Sequence, residues 1–549
     1  MPEGHPPHRV AFRLVNRASP LVREALLAAA GAASLAALLA WLGPPGNDLA
    51  AHVYQRAVFL DDGYELWNNF WYGGRYSFIT YSVIYYPLAA LFGIQPLAVA
   101  SIATASLAFA VVVGRQWGPL ARWSSRSFAV VWAGLIISAA FPFALGFAFG
   151  LLALWALQAG KRWQFGLLAV LTLLASPLAF LLLSILLAGV ALDLRERGRR
   201  LMAPAVIIVG IGVAQVLLTR AFADGGRYPF PNWQLAAVTT FCVLGVALTW
   251  RVERAQLLRW FFVALFAACL FSYLVPSPVG ENVARIRFVA LPIAVLIFSI
   301  RGWRPIPVSA VALLLAALWN LSPHAWSFER GRGEQPAAKA AYWQPAVEYL
   351  NENLTPSYRV EVVDTAGHWG AVHLPAVGIP LVRGWFRQDD FPQNQILYED
   401  LDRTTYLRWL RGLGVKYVVL THAPADYSAK HEEELVASGR SGLRPVFLSA
   451  ELTVFGVPDA QPIVTGPAPA EVIDVGQGHI LVRLEQPGRY RIAVRHSPYW
   501  RSDAGCVARG SDDMLVLGAR RAGLVRLEFR VGAKRALAAV VGAAGPDCV

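Results

Sequence analysis

Between residues 24 and 322 the chain repeats one pattern, apolar runs separated by short segments rich in arginine. An apolar run of ~20 residues matches the hydrocarbon core of a bilayer, and a helix satisfies every backbone polar group where water is absent. Such runs lie near 24–43, 96–113, 128–143, 145–160, 163–175, 177–192, 203–219, 234–250, 258–275, 288–300 and 306–322. They predict a polytopic α-helical membrane protein with about eleven transmembrane helices. Two pairs, 128–160 and 163–192, are divided only at Phe141-Pro142 and Ser176-Pro177. The first run resembles a secretion signal in outline, but it exceeds an h-region of ~7–15 residues and is read as a retained span.

Charge supports this reading. Only 15% of the 549 residues are charged, against about 25% in soluble proteins. The net charge of +13 lies mostly in short loops, with no basic stripe of the kind that tracks a phosphate backbone, so no nucleic-acid partner is expected. Alternate loops divide the basic residues 18 to 6. The richer set includes Arg9, Arg13, Arg17, Arg23, Arg115, Arg122, Arg126, Arg195 and Arg197, and the poorer set Arg56, Arg75, Arg220, Arg227, Arg285 and Arg287. The positive-inside rule then puts the N-terminus in the cytoplasm, and an odd span count puts the tail outside.

Three regions follow: a transmembrane domain over 1–322 whose first outer loop is 44–95, an α/β domain over 341–457, and a β-rich, sandwich-like domain over 461–549. The loop is too long to be a mere connector. It carries a helical stretch from Asp48 to Leu60, the aromatic segment Tyr64–Tyr72, and Ser77–Phe92, read as a helix lying at the interface. A Pro/Gly/charged linker, 329–340, leads into the tail. There Ala346–Asn353 and Asp400–Leu413 read as helices, and Arg359–Val363 and Val415–Leu420 as strands. His479–Leu484 and Arg489–Arg495 alternate like strands about the turn Pro487-Gly488.

The spans carry few ionisable residues, which disfavours an ion-coupled transporter. Polar candidates gather instead in the outer loops. Asp48 and His52 are one helical turn apart and share a face. Asp48 can serve as a general base or cap its helix. Arg285 and Arg287 stand before a late span, where arginine can grip a phosphate bidentately or snorkel to the interface. In the tail, Gly367–His373 and Arg383–Asp390 combine aromatic and polar groups suited to sugar, with Trp369, Arg383 and Trp385 as acceptor-binding candidates; burial in a core is the other reading. Cys242 and Cys269 fall in apolar runs, and Cys506 and Cys548 lie in the tail. Outside the cell, the last two are expected to form a disulfide. No spacing suggests a metal site.

The acid at the exit of span one, the segment Tyr85–Gly93 and Arg287-Phe-Val-Ala-Leu-Pro292 resemble the GT-C superfamily of polyprenyl-phosphate-sugar-dependent glycosyltransferases. Within it, Asp48, His52, Trp67, Gly73-Gly74 and Tyr86-Pro87-Leu88 are similar to a bacterial membrane family labelled "6-pyruvoyl-tetrahydropterin synthase-related". The likeness covers residues 20–325 in layout and about sixty in motif. It implies that Asp48 is the catalytic base and that Arg287, with Arg285, binds the donor phosphate, His52 either orienting Asp48 or touching that phosphate. It further implies a bacterial plasma-membrane enzyme acting on a cell-envelope glycan or glycolipid acceptor, with the polyprenyl-phosphate sugar as co-substrate and no other cofactor. Many members carry two adjacent acids where this chain has Asn47-Asp48, which departs from the metal-dependent pattern and leaves a divalent metal open. The competing readings are a lipid-linked-sugar flippase or other transporter, which needs a polar path through the bilayer, and a non-catalytic envelope-assembly protein, in which Asp48 is dispensable.

Overall fold

The computed structural model describes residues 19–193, 198–332 and 335–545. Arg9, Arg13, Arg17, Arg195, Arg197 and Cys548 therefore lie outside the described residues. Eight helical stretches are long and apolar enough to cross a membrane, and a sheet-rich tail follows them. The eleven predicted spans are not all matched by a crossing helix. Arg162–Ala175 and Pro177–Asp193 are apolar but shorter than a full crossing, and Ile94–Ser138 is one apolar stretch that turns at Gly118, whose φ is +58°.

The first helix, α1 (Pro20–Leu42), buries Ala25, Ala28, Ala32 and Ala36 along one stripe. Such small side chains allow close approach between helices. A helix of this length is roughly 35 Å long, so its two ends lie on opposite sides of the bundle. At its start Glu24 accepts from Arg126 Nε at 2.7 Å. Beyond its end, Gly43-Pro44-Pro45-Gly46 turns the chain. A Cβ on Gly46 would fall 2.5 Å from that of Ala139, so glycine is needed for this approach.

The turn leads into α2 (Leu49–Asp62), matching the expected helix closely. The helix expected over 77–92 is shorter than read. Phe78–Thr80 is a 3-10 turn, and only α3 (Tyr85–Phe92) is α-helical. Tyr85 and Tyr86 are fully buried, so this segment packs into the protein, with Leu91 and Phe92 left at its exposed edge. Further on, the break expected at Phe141-Pro142 falls at Ala139, whose φ is +55°, and Pro142 sits in the first turn of the next helix, where its missing N–H costs nothing. The last apolar helix runs Ile306–Gly331, so part of the predicted linker is helix.

The first loop also forms a two-residue hairpin, β1 (Trp67–Asn68) and β2 (Arg75–Tyr76). In the tail, β3 (Arg359–Val362) pairs in parallel with β4 (Val415–Thr421), and β5 (Arg444–Leu448) and β6 (Leu452–Gly456) complete a sheet in the order β3-β4-β6-β5. Eight further strands form two four-stranded antiparallel sheets between Val464 and Phe529. Ile480, Val482 and Leu484 alternate inward along one of them, the period-2 pattern of a strand with one buried face.

These parts share cores. One apolar cluster runs from Ala25 of α1 to Val454 of β6. Trp71 of the first loop donates to the Ala371 carbonyl at 2.9 Å, and Trp67 stacks on Phe529 of the last strand with ring centroids 5.0 Å apart. Cys242 and Cys269 are buried and free. Cys506 lies on the strand Gly505–Arg509.

Candidate active site

The turn after α1, the 3-10 stretch Gly280–Val289 and the loops following β3 and β4 meet at the boundary between helices and tail. They enclose a cavity of about 1270 Å³, lined by Asp48, Arg285, Arg287, His368, Trp385 and Arg387 among others. The residues read as base and phosphate ligands thus share one space, although Asp48 and Arg287 are more than two hundred positions apart in sequence.

Asp48 occupies the N-cap position of α2, yet its side chain makes no capping hydrogen bond. The capping role left open by the sequence is therefore not used, and the carboxylate faces the cavity. Burial raises its pKa to about 6, against the pull of Arg285, His368 and Arg387. A carboxylate tuned to that range accepts a proton at neutral pH more readily than an ordinary aspartate.

Arg285 donates to Asn282 Oδ1 at 3.0 Å. The buried Nε of Arg287 has no hydrogen-bond partner among the described residues. Neither guanidinium has a carboxylate oxygen within 4.0 Å among those residues. Glu281 lines the same cavity and acts electrostatically on both arginines, but neither is held in a close ion pair among those residues, which leaves their N–H groups open to an anion.

The tail wall is organised differently. Asp426 accepts from Arg330 at 2.5 Å, Arg387 at 2.8 Å and the Ser428 amide at 2.9 Å. Burial opposes ionisation, but His368, Arg387 and Arg330 hold this carboxyl well below the usual range. Arg387 also lies 4.0 Å over the Tyr427 ring, and Arg330 4.4 Å over Trp326. Both arginines are thus fixed in place, and the one carboxylate they share offsets only one of their two charges. At another wall Asp224 is pushed up to about 7 by burial and by Asp389, with Arg75 and Arg495 opposing. Apolar side chains of the helices, among them Leu178, Leu181 and Leu218, also line the cavity, beside Ser184, Gln215 and Thr219.

Several predicted residues stand elsewhere. His52 is fully buried, with Nε2 2.8 Å from the Ala139 carbonyl and Nδ1 3.3 Å from Tyr86 Oη. Both nitrogens serve packing, so His52 neither orients Asp48 nor lines the cavity. Trp369 is buried and stacked on His373. Arg383 is buried against Asp390 at 3.2 Å and Ser428 at 3.1 Å. Neither meets the cavity, and of the three acceptor candidates only Trp385 does. Their neighbours His368 and Arg387 are the cavity residues. The available sequence signal was Asp364-Thr-Ala-Gly-His368 directly after a predicted strand, since ligands gather at the carboxyl ends of parallel strands. Among the described residues no group of three or more His, Cys, Asp or Glu is placed to hold a metal ion.

No family model matches the chain, and no curated protein matches it.

Proposed function

We propose that the chain is a GT-C type membrane glycosyltransferase with eleven passes, its N-terminus in the cytoplasm and its tail and cavity on the outer side. It transfers a sugar from a polyprenyl-phosphate donor to a cell-envelope glycan or glycolipid. The observation that carries this reading is the convergence of Asp48, Arg285 and Arg287 on one cavity whose lining also includes apolar side chains of the helices. A lipid-linked donor has those two halves, an anionic head and an apolar chain.

In the proposed reaction the acceptor hydroxyl oxygen attacks the anomeric carbon and Asp48 takes its proton. The bond from that carbon to the phosphate oxygen breaks on the opposite face, with inversion. The departing electron pair stays on the phosphate, stabilised by the fixed charges of Arg285 and Arg287. The aromatic side chains of Trp385 and Trp326 at the same cavity suit the apolar faces of an acceptor sugar.

The test is sugar transfer by the full-length protein in lipid nanodiscs, using a panel of radiolabelled polyprenyl-phosphate sugars and an envelope glycolipid extract. Transfer by the wild type and its loss in Asp48→Asn are expected. Equal transfer by both would overturn the assignment.

A further inference from the structure

The loops after β3 and β4 are joined to each other by backbone. Thr365 bridges Ala425, the Ala366 amide donates to the Pro424 carbonyl at 2.9 Å, and the Asp426 amide donates to the Asp364 carbonyl at 2.8 Å. Within this joint His368 has a φ of +57°, the left-handed region uncommon for any residue but glycine. Its Nδ1 lies 2.7 Å from Asp364 Oδ2, and Trp385 stands edge-on to the ring at 6.1 Å. The ring is therefore fixed on two sides.

Its second nitrogen faces Asp426 electrostatically but makes no hydrogen bond to it. Nε2 lies 4.0 Å from Asp426 Oδ2, beyond hydrogen-bond range. That carboxylate is already served by Arg330, Arg387 and the Ser428 amide. Nε2 has no hydrogen-bond partner among the described residues, and His368 lines the cavity. The imidazole also acts electrostatically on Asp48, as Arg285 does, so all three belong to one region of it. A carboxylate holding one nitrogen of a histidine while the other faces a reactive space is an arrangement that fixes the ring for proton or hydrogen-bond donation.

We propose that His368 is a phosphate ligand supplied by the tail: with Nδ1–H donated to Asp364, Nε2–H donates to an oxygen of the donor phosphate opposite Arg285 and Arg287. Asp364 is the positioning residue, acting through His368. The inference rests on the lipid-phosphate reading given above and adds a ligand from the tail. The phosphate would then be held from both sides of the boundary, so the site is incomplete without the tail. The shared ligand chemistry is an anionic phosphoryl oxygen, from the phosphodiester of a lipid-linked sugar or from free phosphate.

The test measures binding to the full-length protein in nanodiscs, with polyprenyl phosphate, polyprenol and inorganic phosphate as separate probes. His368→Asn is the first variant, because asparagine tolerates the left-handed backbone but is too short to reach the phosphate. It should weaken polyprenyl phosphate about tenfold or more, the effect of losing one charge-assisted hydrogen bond, and leave polyprenol unchanged. Asp364→Asn should weaken it in the same direction, and Asp364→Glu, which keeps the carboxylate, should bind nearly as wild type. If His368→Asn and Asp364→Asn melt as wild type and bind polyprenyl phosphate within about twofold of it, the inference is overturned. If the wild type binds polyprenyl phosphate no better than polyprenol, the donor reading falls, and this inference with it. Inorganic phosphate competing as strongly as the lipid would keep His368 as an anion ligand and overturn the lipid source.

Discussion

Arg75 of the first loop donates from Nε to Asp389 of the tail at 2.6 Å, with both side chains only 2% exposed. Asp224, from the loop beyond the seventh predicted span, approaches the same guanidinium at 4.0 Å. The Arg495 guanidinium also donates to the Asp389 carbonyl at 2.8 Å. Four stretches of chain distant in sequence thus meet at one buried charge pair beside the cavity.

Removing one member of such a pair leaves the other charged and dry, which typically costs 3–5 kcal/mol. Arg75→Met is expected to lower the melting temperature measurably and to open the tail to limited proteolysis, since it leaves Asp389 unpartnered by a guanidinium at that contact. A melting curve unchanged from wild type would remove this pair as the joint between loop and tail.

Asp48→Asn should lower transfer by on the order of 10²–10⁴-fold while donor binding holds, because asparagine keeps the shape but accepts no proton at neutral pH. The same change should make the protein more stable. The folded-state pKa of about 6 lies above the unfolded value of 3.8, so the carboxyl costs nothing below pH 3.8 and destabilises the fold increasingly as pH rises toward 6. Relief of up to about 3 kcal/mol at neutral pH follows, less where cavity water screens the charge. Chemical denaturation of both proteins at pH 7 measures it.

The pH profile carries its own sign. A base must be ionised to act, so transfer should fall as pH drops through about 6, the raised value of Asp48, and should not wait for the ordinary aspartate range near 4. A rate that stays level down to pH 4.5 would place the base elsewhere.

Arg287→Ala should weaken donor binding and turnover together, because it removes a phosphate contact present both before and during the reaction. Separate measurement of donor Kd and kcat distinguishes it from Asp48→Asn.

Topology is checked independently. Reporter fusions just after residue 332 should be active only outside the cytoplasm, as the 18-to-6 division of basic residues predicts. Cytoplasmic activity there would reverse the proposed orientation.

The helices were legible because hydropathy over about twenty residues is a local property, and so were α2, β3 and β4. Asp48, Arg285 and Arg287 stood out as polar groups at the ends of apolar runs, where few others compete, and they line one cavity. The tail wall was not. The aromatic and polar segments 367–373 and 383–390 were recognised, but Trp369 and Arg383 were named where His368 and Arg387 reach the cavity. Which neighbour faces inward depends on the positive φ at His368 and on the 3-10 turn Arg387–Asp390, and neither follows from a periodic pattern. His52 was misassigned because a shared helical face with Asp48 does not say what packs on that face, here Tyr86 and the Ala139 carbonyl.

The stacking of Trp67 on Phe529 sets an order on biosynthesis. The indole leaves the ribosome well before its partner, which lies more than four hundred positions further along the chain. At roughly 5–20 residues per second, the interval is on the order of a minute, during which the hairpin has no sandwich to enter. A nascent chain therefore waits with its first loop unfinished, and a message cut short before Phe529 yields a full set of apolar helices around a loop that never closes.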